Sequence, residues 1–200
     1  MPTGAASARR RRAPQQTRKA IIDALLAAVR EGDITPTTKT LARRSGVSER
    51  TIFVHFPNRE DLLIAVTEQQ SEYVEALLTP VDPTLPLDRR IDIAVSWGEG
   101  IFGLQHNVRK LGLLEAYAVP AVDQRMRAAD ERIRQSLAAL FAPELRRATE
   151  EDEQLLDLVD ATTGWAYRHH LVERCELSPA AASQAVRRAL EALLASSVPR

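Results

Sequence analysis

Apolar residues recur at intervals of three and four along most of the chain, which is the period of an α-helix, and no stretch alternates as a β-strand does. In the first such stretch, Ile21, Leu25 and Val29 share one row of a helix. Ile22 and Leu26 share the neighbouring row, so this helix can pack on two partners at once. The fold class expected is all-α. About nine helices are predicted, over residues 17–31, 38–44, 49–56, 59–78, 87–105, 108–119, 121–141, 150–171 and 179–196.

Residues that favour helix ends support several of these boundaries. Ser48 and Asn58 can each accept a backbone N–H in the first turn of the helix that follows. Thr149 precedes an acidic first turn, and Ser178 precedes a proline at the first helical position. Gly46 provides a residue that adopts positive φ without steric cost, as a tight turn between two helices requires. Residues 38–56 therefore form two short helices joined by a tight turn.

The residues of this pair fit a helix-turn-helix. Ala42 is small where two helices would touch, Gly46 lies at the turn, and Ile52 is a branched apolar residue for the core between the helices. The second helix opens with three side chains that can hydrogen-bond, Glu49, Arg50 and Thr51. An ordinary helical hairpin would need none of these polar residues at that position.

The charges of the chain are unevenly distributed, although its formal net charge is zero. Residues 1–60 contain 12 Lys and Arg against 5 Asp and Glu, whereas residues 61–200 contain 15 against 22. A basic first part that coincides with a helix-turn-helix indicates a polyanion binder. Arg9–Arg12, within a segment 1–16 expected to be disordered, suits either a solubilising tail or an arm along DNA phosphates.

Residues 17–78 resemble the DNA-binding end of the tetracycline-repressor (TetR) family of transcriptional regulators. The residues that match are Thr38, Leu41, Ala42, Gly46, Val47, Ser48, Thr51, Ile52, His55, Phe56 and Arg59. The resemblance implies a homodimer that binds a palindromic DNA operator, usually as a repressor. It also implies a C-terminal domain whose small-molecule effector releases the operator. The domains expected are a basic arm (1–16), a DNA-binding domain (17–58) and a helical regulatory and dimerisation domain (59–200).

Side-chain chemistry assigns candidate roles at the DNA. Arg50 can donate two hydrogen bonds to a guanine, and Glu49 can accept one from a cytosine. A contact of Arg50 with phosphate alone remains an alternative, and His55 is either a phosphate contact or a packed residue. The candidate DNA-binding residues are Thr38, Lys39, Ser48, Glu49, Arg50, Thr51, Phe53, His55 and Arg59.

Three positions depart from the usual residues of the family. Phe53 replaces a common tyrosine and therefore lacks a phenolic hydrogen bond to phosphate. Val54 replaces a larger or polar residue, which puts a base contact there in doubt. Arg59 replaces a lysine and keeps the charge, with a fork that suits bidentate phosphate contact.

Two further sets of residues are expected to bind an effector and a second subunit. Aromatic and polar residues of the central helices are candidates for an effector pocket, namely Trp97, Phe102, His106, Leu113, Tyr117, Met126, Trp165 and His169. Apolar residues of the last helices are candidates for a dimer interface, namely Leu155, Val159, Ala166, Val186, Leu190 and Leu193. For each set, packing in the core of a single chain is the alternative.

Other functions find less support. No glycine-rich phosphate loop is present, the adjacent His169 and His170 have no partner at metal-binding spacing, and Cys175 has no evident base. We therefore expect no enzyme, metal or cofactor, and an inert buried Cys175. A protein that coats DNA without regard to sequence is the remaining alternative. The single cysteine, and the lack of a secretory signal or an apolar run of membrane length, favour a cytoplasmic protein.

Overall fold

The computed structural model describes residues 13–145 and 150–195, and every regular element in these ranges is an α-helix. The predicted all-α class is therefore confirmed. Arg9–Arg12 and Thr149 lie outside the described residues. Among the described residues, no helix is long and apolar enough to cross a membrane. The helices are α1 (Pro14–Arg30), α2 (Thr38–Ser45), α3 (Glu49–His55), α4 (Arg59–Glu75), α5 (Leu87–Ala116), α6 (Pro120–Leu140), α7 (Glu150–Thr163), α8 (Trp165–Glu173) and α9 (Pro179–Ala195).

Helices α1–α3 form the N-terminal head, and α2 and α3 are the predicted helix-turn-helix. Gly46 ends α2 with φ of 71°, the left-handed conformation that glycine adopts at little cost. Ser48 begins α3 by accepting the N–H of Thr51, and Asn58 begins α4 by accepting the N–H of Asp61 at 2.8 Å. The caps and the turn that the sequence predicted are confirmed.

The first helix begins earlier than its apolar pattern indicates. It starts at Pro14 rather than at Thr17, so residues 14–16 are helical instead of part of the expected disordered segment. Proline suits the first helical turn because its fixed φ is helical and a backbone N–H there has no partner within the helix. Gln15 and Gln16 are exposed and polar. The apolar pattern therefore could not predict that they are helical.

Two other helix predictions were wrong in opposite directions, so residues 13–145 and 150–195 still contain nine helices. The predicted break between residues 105 and 108 is absent, because α5 runs through it as one helix of 30 residues. No proline interrupts that segment, and Val108 and Leu111 continue its buried stripe. Conversely, the helix predicted over 150–171 is divided at Gly164, whose extended backbone caps α8.

Close packing brings α5 against the corner between α7 and α8. A Cβ atom added at Gly98 would lie 3.0 Å from the backbone oxygen of Thr163. A side chain at this position of α5 would therefore hold the two elements apart. The corner itself is held by Thr163, whose hydroxyl donates to the backbone oxygen of Val159 at 2.9 Å.

The head does not have a core of its own. One apolar cluster joins Leu25, Leu41 and Ile52 of the head to residues of α5 and α6, including Leu111 and Val122. A second cluster lies farther from the head. It unites the first half of α5 with α6, α7 and α9 through residues such as Ile91, Leu137, Val159 and Leu190. The first cluster therefore crosses the predicted boundary at residue 58.

A buried ion pair fixes the start of α5 to the segment after α6. The Nη2 of Arg90 donates to Oε1 of Glu144 at 2.7 Å, and the two side chains are 5% and 9% exposed. Arg90 also donates from Nε to the backbone oxygen of Leu85 at 2.9 Å. Removal of either partner would leave a buried, uncompensated charge, which is strongly destabilising.

Candidate nucleic-acid interface

The exposed face of α3 combines charged and apolar side chains. Glu49 and Arg50 are exposed in the first turn, and Phe53 and Val54 are 55% and 71% exposed in the next. On the opposite side, Ile52 is only 3% exposed and packs α3 against the rest of the head. The charged groups can read base edges and the apolar ones can contact thymine methyl groups or sugars. The exposure of Val54 places it on this surface beside the predicted residues.

Ser48 and Thr51 fix the start of α3 through two hydrogen bonds. The Oγ of Ser48 accepts the backbone N–H of Thr51 at 3.1 Å. The two hydroxyl oxygens lie 2.8 Å apart and share a second hydrogen bond. Both hydroxyls therefore hold the first turn, and with it Glu49 and Arg50, in a fixed orientation.

Three cations on α2 and α3 have no ion-pair partner among residues 13–145 and 150–195. Lys39 lies in the first turn of α2, Arg43 lies in its last turn, and Arg50 lies on α3. All three are exposed. Arg43 was not among the residues predicted from the sequence, although it belongs to the same basic pair as Arg44. Free cations at this surface suit the phosphates that flank a DNA groove.

Two further arginines hold the helices of the head together. Neither was predicted from the sequence to have a role. Arg44 binds Glu31 at the end of α1, with 2.6 Å between Nη2 and Oε2, and lowers the pKa of that carboxyl group through this hydrogen bond. Arg18 donates to the backbone oxygen of His55 at 2.9 Å, and its guanidinium carbon lies 4.1 Å from the ring centroid of Phe56. The His55 side chain itself is half-buried, so the structure leaves both of its predicted roles open.

Several predicted phosphate contacts meet where α2, α3 and α4 adjoin. A small crevice of about 120 Å³ there is lined by Thr38, Phe53, Asn58 and Arg59, among others. The guanidinium of Arg59, however, is paired with the carboxylate of Glu115 near the end of α5. Arg59 is half-exposed and Glu115 is 20% exposed. In the free protein, one of the cations predicted to bind DNA is therefore paired with a carboxylate of the body.

The predicted effector-pocket residues do not line one cavity. Tyr117 is 98% exposed, and Leu113 is 52% exposed. Trp97 lines a cleft of about 440 Å³ against α6, whereas Leu113 and Trp165 line another, of about 370 Å³. Met126 lines a small pocket of about 40 Å³ near the head. The set is divided because positions 97 and 117 of one helix are about 30 Å apart.

The remaining members of that set form an aromatic cluster between α5 and α8. His169 stacks on Trp165 with 4.4 Å between ring centroids, and Phe102 meets His106 edge-on at 4.9 Å. Burial lowers the pKa of His106 and of His169, and Lys110 lowers both further. The Nε2 of His106 lies 2.9 Å from Oε1 of Glu173. Glu173 was not among the residues predicted from the sequence, although its spacing of four from His169 on α8 was visible there.

Half of the predicted dimer residues are already covered within one chain. Val159 and Val186 are 1% exposed and Leu190 is 0% exposed, all in the second core cluster. For these three the alternative of packing on the chain's own core is the correct one, because they face inward between α5, α6, α7 and α9. Leu155 and Leu193 are half-buried, and Ala166 is exposed. Leu158, which was not predicted, is 51% exposed on α7.

The expectation of a buried thiol was wrong, because Cys175 is exposed. It lies just beyond the end of α8, in the turn that leads to α9. His170 is exposed on α8, on a different side from His169. These two residues therefore do not join His106 and His169 in one site.

A capped helix-turn-helix with an exposed, charged second helix defines a DNA-binding regulator. Residues 21–66 match the sequence model of the bacterial regulatory proteins of the tetR family. The head of the chain is therefore similar to the DNA-binding part of TetR-family regulators, as its motif residues predicted. No curated protein matches the sequence.

Solved structures of similar fold extend over nearly the whole chain. A transcriptional regulator from Rhodococcus sp. Rha1 is 17% identical, with a TM-score of 0.71 over 94% of this chain and 100% of that chain. A TetR-family regulator from Mesorhizobium loti MAFF303099 is 19% identical, with a TM-score of 0.70 over 93% and 98%. The multidrug binding protein EbrR, complexed with imidazole, is 20% identical, with a TM-score of 0.59 over 86% and 93%. These likenesses establish that the body, as well as the head, has the fold of these regulators.

Proposed function

We propose that the protein is a homodimeric repressor that binds a two-fold symmetric DNA operator and releases it when a small molecule binds the body. The observation that carries the proposal is the surface of α3, where a capped helix start presents Glu49 and Arg50 next to Phe53 and Val54. An α-helix fits the major groove of DNA, and its N-terminal residues meet the base edges.

Arg50 is the residue proposed to specify a base pair. It is exposed and has no ion-pair partner among the described residues, and the Ser48–Thr51 hydrogen bonds fix the turn from which it projects. Its guanidinium can bond O6 and N7 of one guanine together. Lys39, Arg43 and, once it leaves Glu115, Arg59 are proposed to bind the phosphates on either side.

A second copy is proposed to bind along the exposed side of α7 and α9. Leu158 is 51% exposed there, beside the half-buried Leu155. On α9, Ala185 and Ala189 are half-buried between the buried positions of the helix, and their small side chains permit close approach of another helix. This surface replaces Val159, Val186 and Leu190, which the chain itself covers. Two heads on one duplex gain affinity because the second binding event becomes intramolecular.

An effector is proposed to occupy the cleft of about 370 Å³ between α5, α6 and the α7–α8 corner. Its walls include Ile101, Leu113 and Trp165, which suit an apolar molecule, and its volume is that of a small-molecule site. Asp130 and Asp160 line the same cleft. Arg109, which also lines the cleft, binds Asp130 at 2.6 Å, so Asp160 is the carboxylate left to favour a hydrogen-bond-donating group on the ligand. The imidazole complex of EbrR shows that another protein of this fold holds a small molecule.

The body is proposed to act on the head through α4. Glu68 of α4 binds Arg125 of α6 at 2.8 Å, and Gln70 of α4 donates to the backbone oxygen of Leu104 on α5 at 3.3 Å. A ligand that changes the angle between α5 and α6 therefore moves α4. Since α4 adjoins α3 directly, the spacing of the two recognition helices changes with it.

Selection of bound sequences from a random duplex pool tests the proposal. We expect an inverted repeat whose half-sites each contain a guanine that Arg50 reads. Replacement of Arg50 by Ala should relax preference at that base pair by about 1–3 kcal/mol. Replacement of Arg89, an exposed arginine in the first turn of α5, should leave the preference unchanged. Equal affinity for random and selected DNA would contradict the proposal and favour a protein that coats DNA without regard to sequence.

A further inference from the structure

Three potential metal ligands meet between α5 and α8, outside the cleft proposed for the effector. They are His106 on α5 and His169 and Glu173 on α8. Their candidate ligand atoms all lie within 4.8 Å of one another. His169 and Glu173 are four residues apart and therefore project from the same side of α8.

We propose that His106, His169 and Glu173 form a binding site for a divalent transition metal ion such as Zn²⁺. Two imidazoles and one carboxylate are a donor set that zinc takes in proteins, with a fourth position left for water. Ligand atoms at about 2.1 Å from zinc stand about 3.5 Å apart in a tetrahedron. Small rotations of the half-buried histidines and the exposed Glu173 are enough to close the set from its present separation.

The site already holds a cationic group, which a metal ion would displace. The Nζ of Lys110 lies 3.2 Å from Nε2 of His106 and 3.9 Å from Oε1 of Glu173. The ammonium group thus lies against two of the three proposed ligands. Lys110 is 31% exposed, and its flexible stem allows the ammonium to move into solvent when a metal ion replaces it.

The two histidines are also incompletely satisfied by the protein. The Nδ1 atoms of His106 and His169 are buried and have no hydrogen-bond partner among the described residues. Buried polar atoms in native proteins nearly always have a partner. In His106 the ring nitrogen that faces Glu173 and Lys110 is Nε2, so Nε2 is the atom available to a metal ion and Nδ1 lies on the other side of the ring.

The nature of that group can be distinguished through Lys110. An anionic ligand would be held by the ammonium and would bind more weakly once Lys110 is replaced. A metal ion competes with the ammonium for the same ligands and would bind more tightly. Replacement of Lys110 by Ala therefore separates the two classes by the sign of its effect.

The test uses the full chain without a histidine tag, in a Cys175→Ser background that removes the one thiol. Titration with Zn²⁺ by calorimetry, and with Co²⁺ by its visible absorption, should show one site per chain. His169→Ala and His106→Ala should each weaken Zn²⁺ binding by at least about tenfold. Lys110→Ala should strengthen it several-fold. His170→Ala, on the same helix but outside the cluster, is the matched control and should bind as the parent does.

Three results would overturn the proposal. They are a parent chain that binds no metal, His106→Ala and His169→Ala variants that bind as the parent does, and weaker Zn²⁺ binding by Lys110→Ala. Circular dichroism of each variant separates a lost ligand from a lost fold, and Glu173→Gln, which keeps the shape of the side chain, provides a second check. None of these measurements involves DNA, so the outcome is independent of the operator proposal.

Discussion

The hydroxyl of Ser48 determines how the recognition helix begins. It accepts the N–H of Thr51 and lies 2.8 Å from the hydroxyl oxygen of the same residue. Without it, a backbone donor and a side-chain hydroxyl in the first turn of α3 both lose their partner. Because α3 has only seven residues, its first turn is a large part of the whole helix. The effect of this one residue therefore extends to Glu49 and Arg50.

Replacement of Ser48 by Ala should lower the free energy of unfolding by about 1 kcal/mol, the usual cost of losing such a cap. Urea denaturation followed by circular dichroism measures the change. Ser96→Ala is the matched control, since Ser96 is exposed within α5 and caps no helix. It should change the free energy by less than about 0.5 kcal/mol. Equal effects of the two substitutions would show that the Ser48 hydrogen bonds contribute no stability.

The histidine cluster shows where prediction from single residues fails. His106 and His169 are 63 positions apart, and they meet only because α8 packs on α5. Residue type alone placed both in one candidate pocket, but their contact with Glu173 could not be deduced without that packing. The reverse holds for Tyr117, which has the chemistry of a pocket residue but is 98% exposed at the end of α5. Residue type indicated what each side chain can do, whereas its rotational position on the helix decided what it contacts.

Among the elements, those with caps were the ones that the sequence predicted best. Helices α2, α3 and α4 each begin at a side-chain cap and are confirmed at their starts within a residue. The middle of the chain offered no such residues. There, the buried stripe of α5 continues through the break predicted between residues 105 and 108, and Gly164 makes a break that the apolar pattern concealed. Tertiary packing determines such cases, and a single sequence does not contain it.

Two of the four glycines of α5, Gly98 and Gly103, give a direct test of that packing. A Cβ at Gly103 would meet no atom within 4 Å, whereas one at Gly98 would lie 3.0 Å from the Thr163 backbone oxygen. Gly103→Ala should therefore raise the free energy of unfolding by about 0.5–1 kcal/mol, since alanine favours a helix. Gly98→Ala should lower it, because overpacking costs about 1–3 kcal/mol. Chemical denaturation of both variants measures the difference, and an equal gain at both sites would contradict the close approach of α5 to the α7–α8 corner.

The link between α5 and α4 makes a further prediction about DNA affinity. Arg59 pairs with Glu115 in the free protein, although its position suits a phosphate. Glu115→Gln should release Arg59 and raise operator affinity by about two- to fivefold, the equivalent of an exposed ion pair. Fluorescence anisotropy with labelled duplex measures this change.

The converse substitution at the same ion pair is its control. Arg59→Ala should weaken binding to all DNA sequences alike, as expected for a phosphate contact. In an Arg59→Ala background, Glu115→Gln should have no further effect. An increase that persists in that background would show that Glu115 acts on DNA by its own charge and not through Arg59.

At the scale of the whole molecule, the basic region of the chain and its first apolar cluster end at different places. The excess of positive charge ends near residue 60, yet the first apolar cluster continues from the head into α5 and α6. The head is therefore distinct in its electrostatics but continuous with the body in its packing. In the proposed mechanism, DNA binds the basic head and a ligand in the body acts on it through the shared core.

Association of two chains is the property on which operator recognition depends most. Leu158 is the large apolar side chain exposed on α7, at 51%, and two copies related by a two-fold axis can bury it. Leu158→Arg should place a charge in that interface and shift the protein to monomers in sedimentation equilibrium. Tyr117→Arg, which makes the same change at a 98% exposed aromatic residue on another face, should leave the dimer intact.

Affinity for a single half-site should then be equal in both variants. Affinity for the inverted repeat should fall by about 100-fold or more in Leu158→Arg alone, since the gain from linking two heads is lost. A Leu158→Arg protein that remains dimeric and binds the repeat as the parent does would place the interface elsewhere.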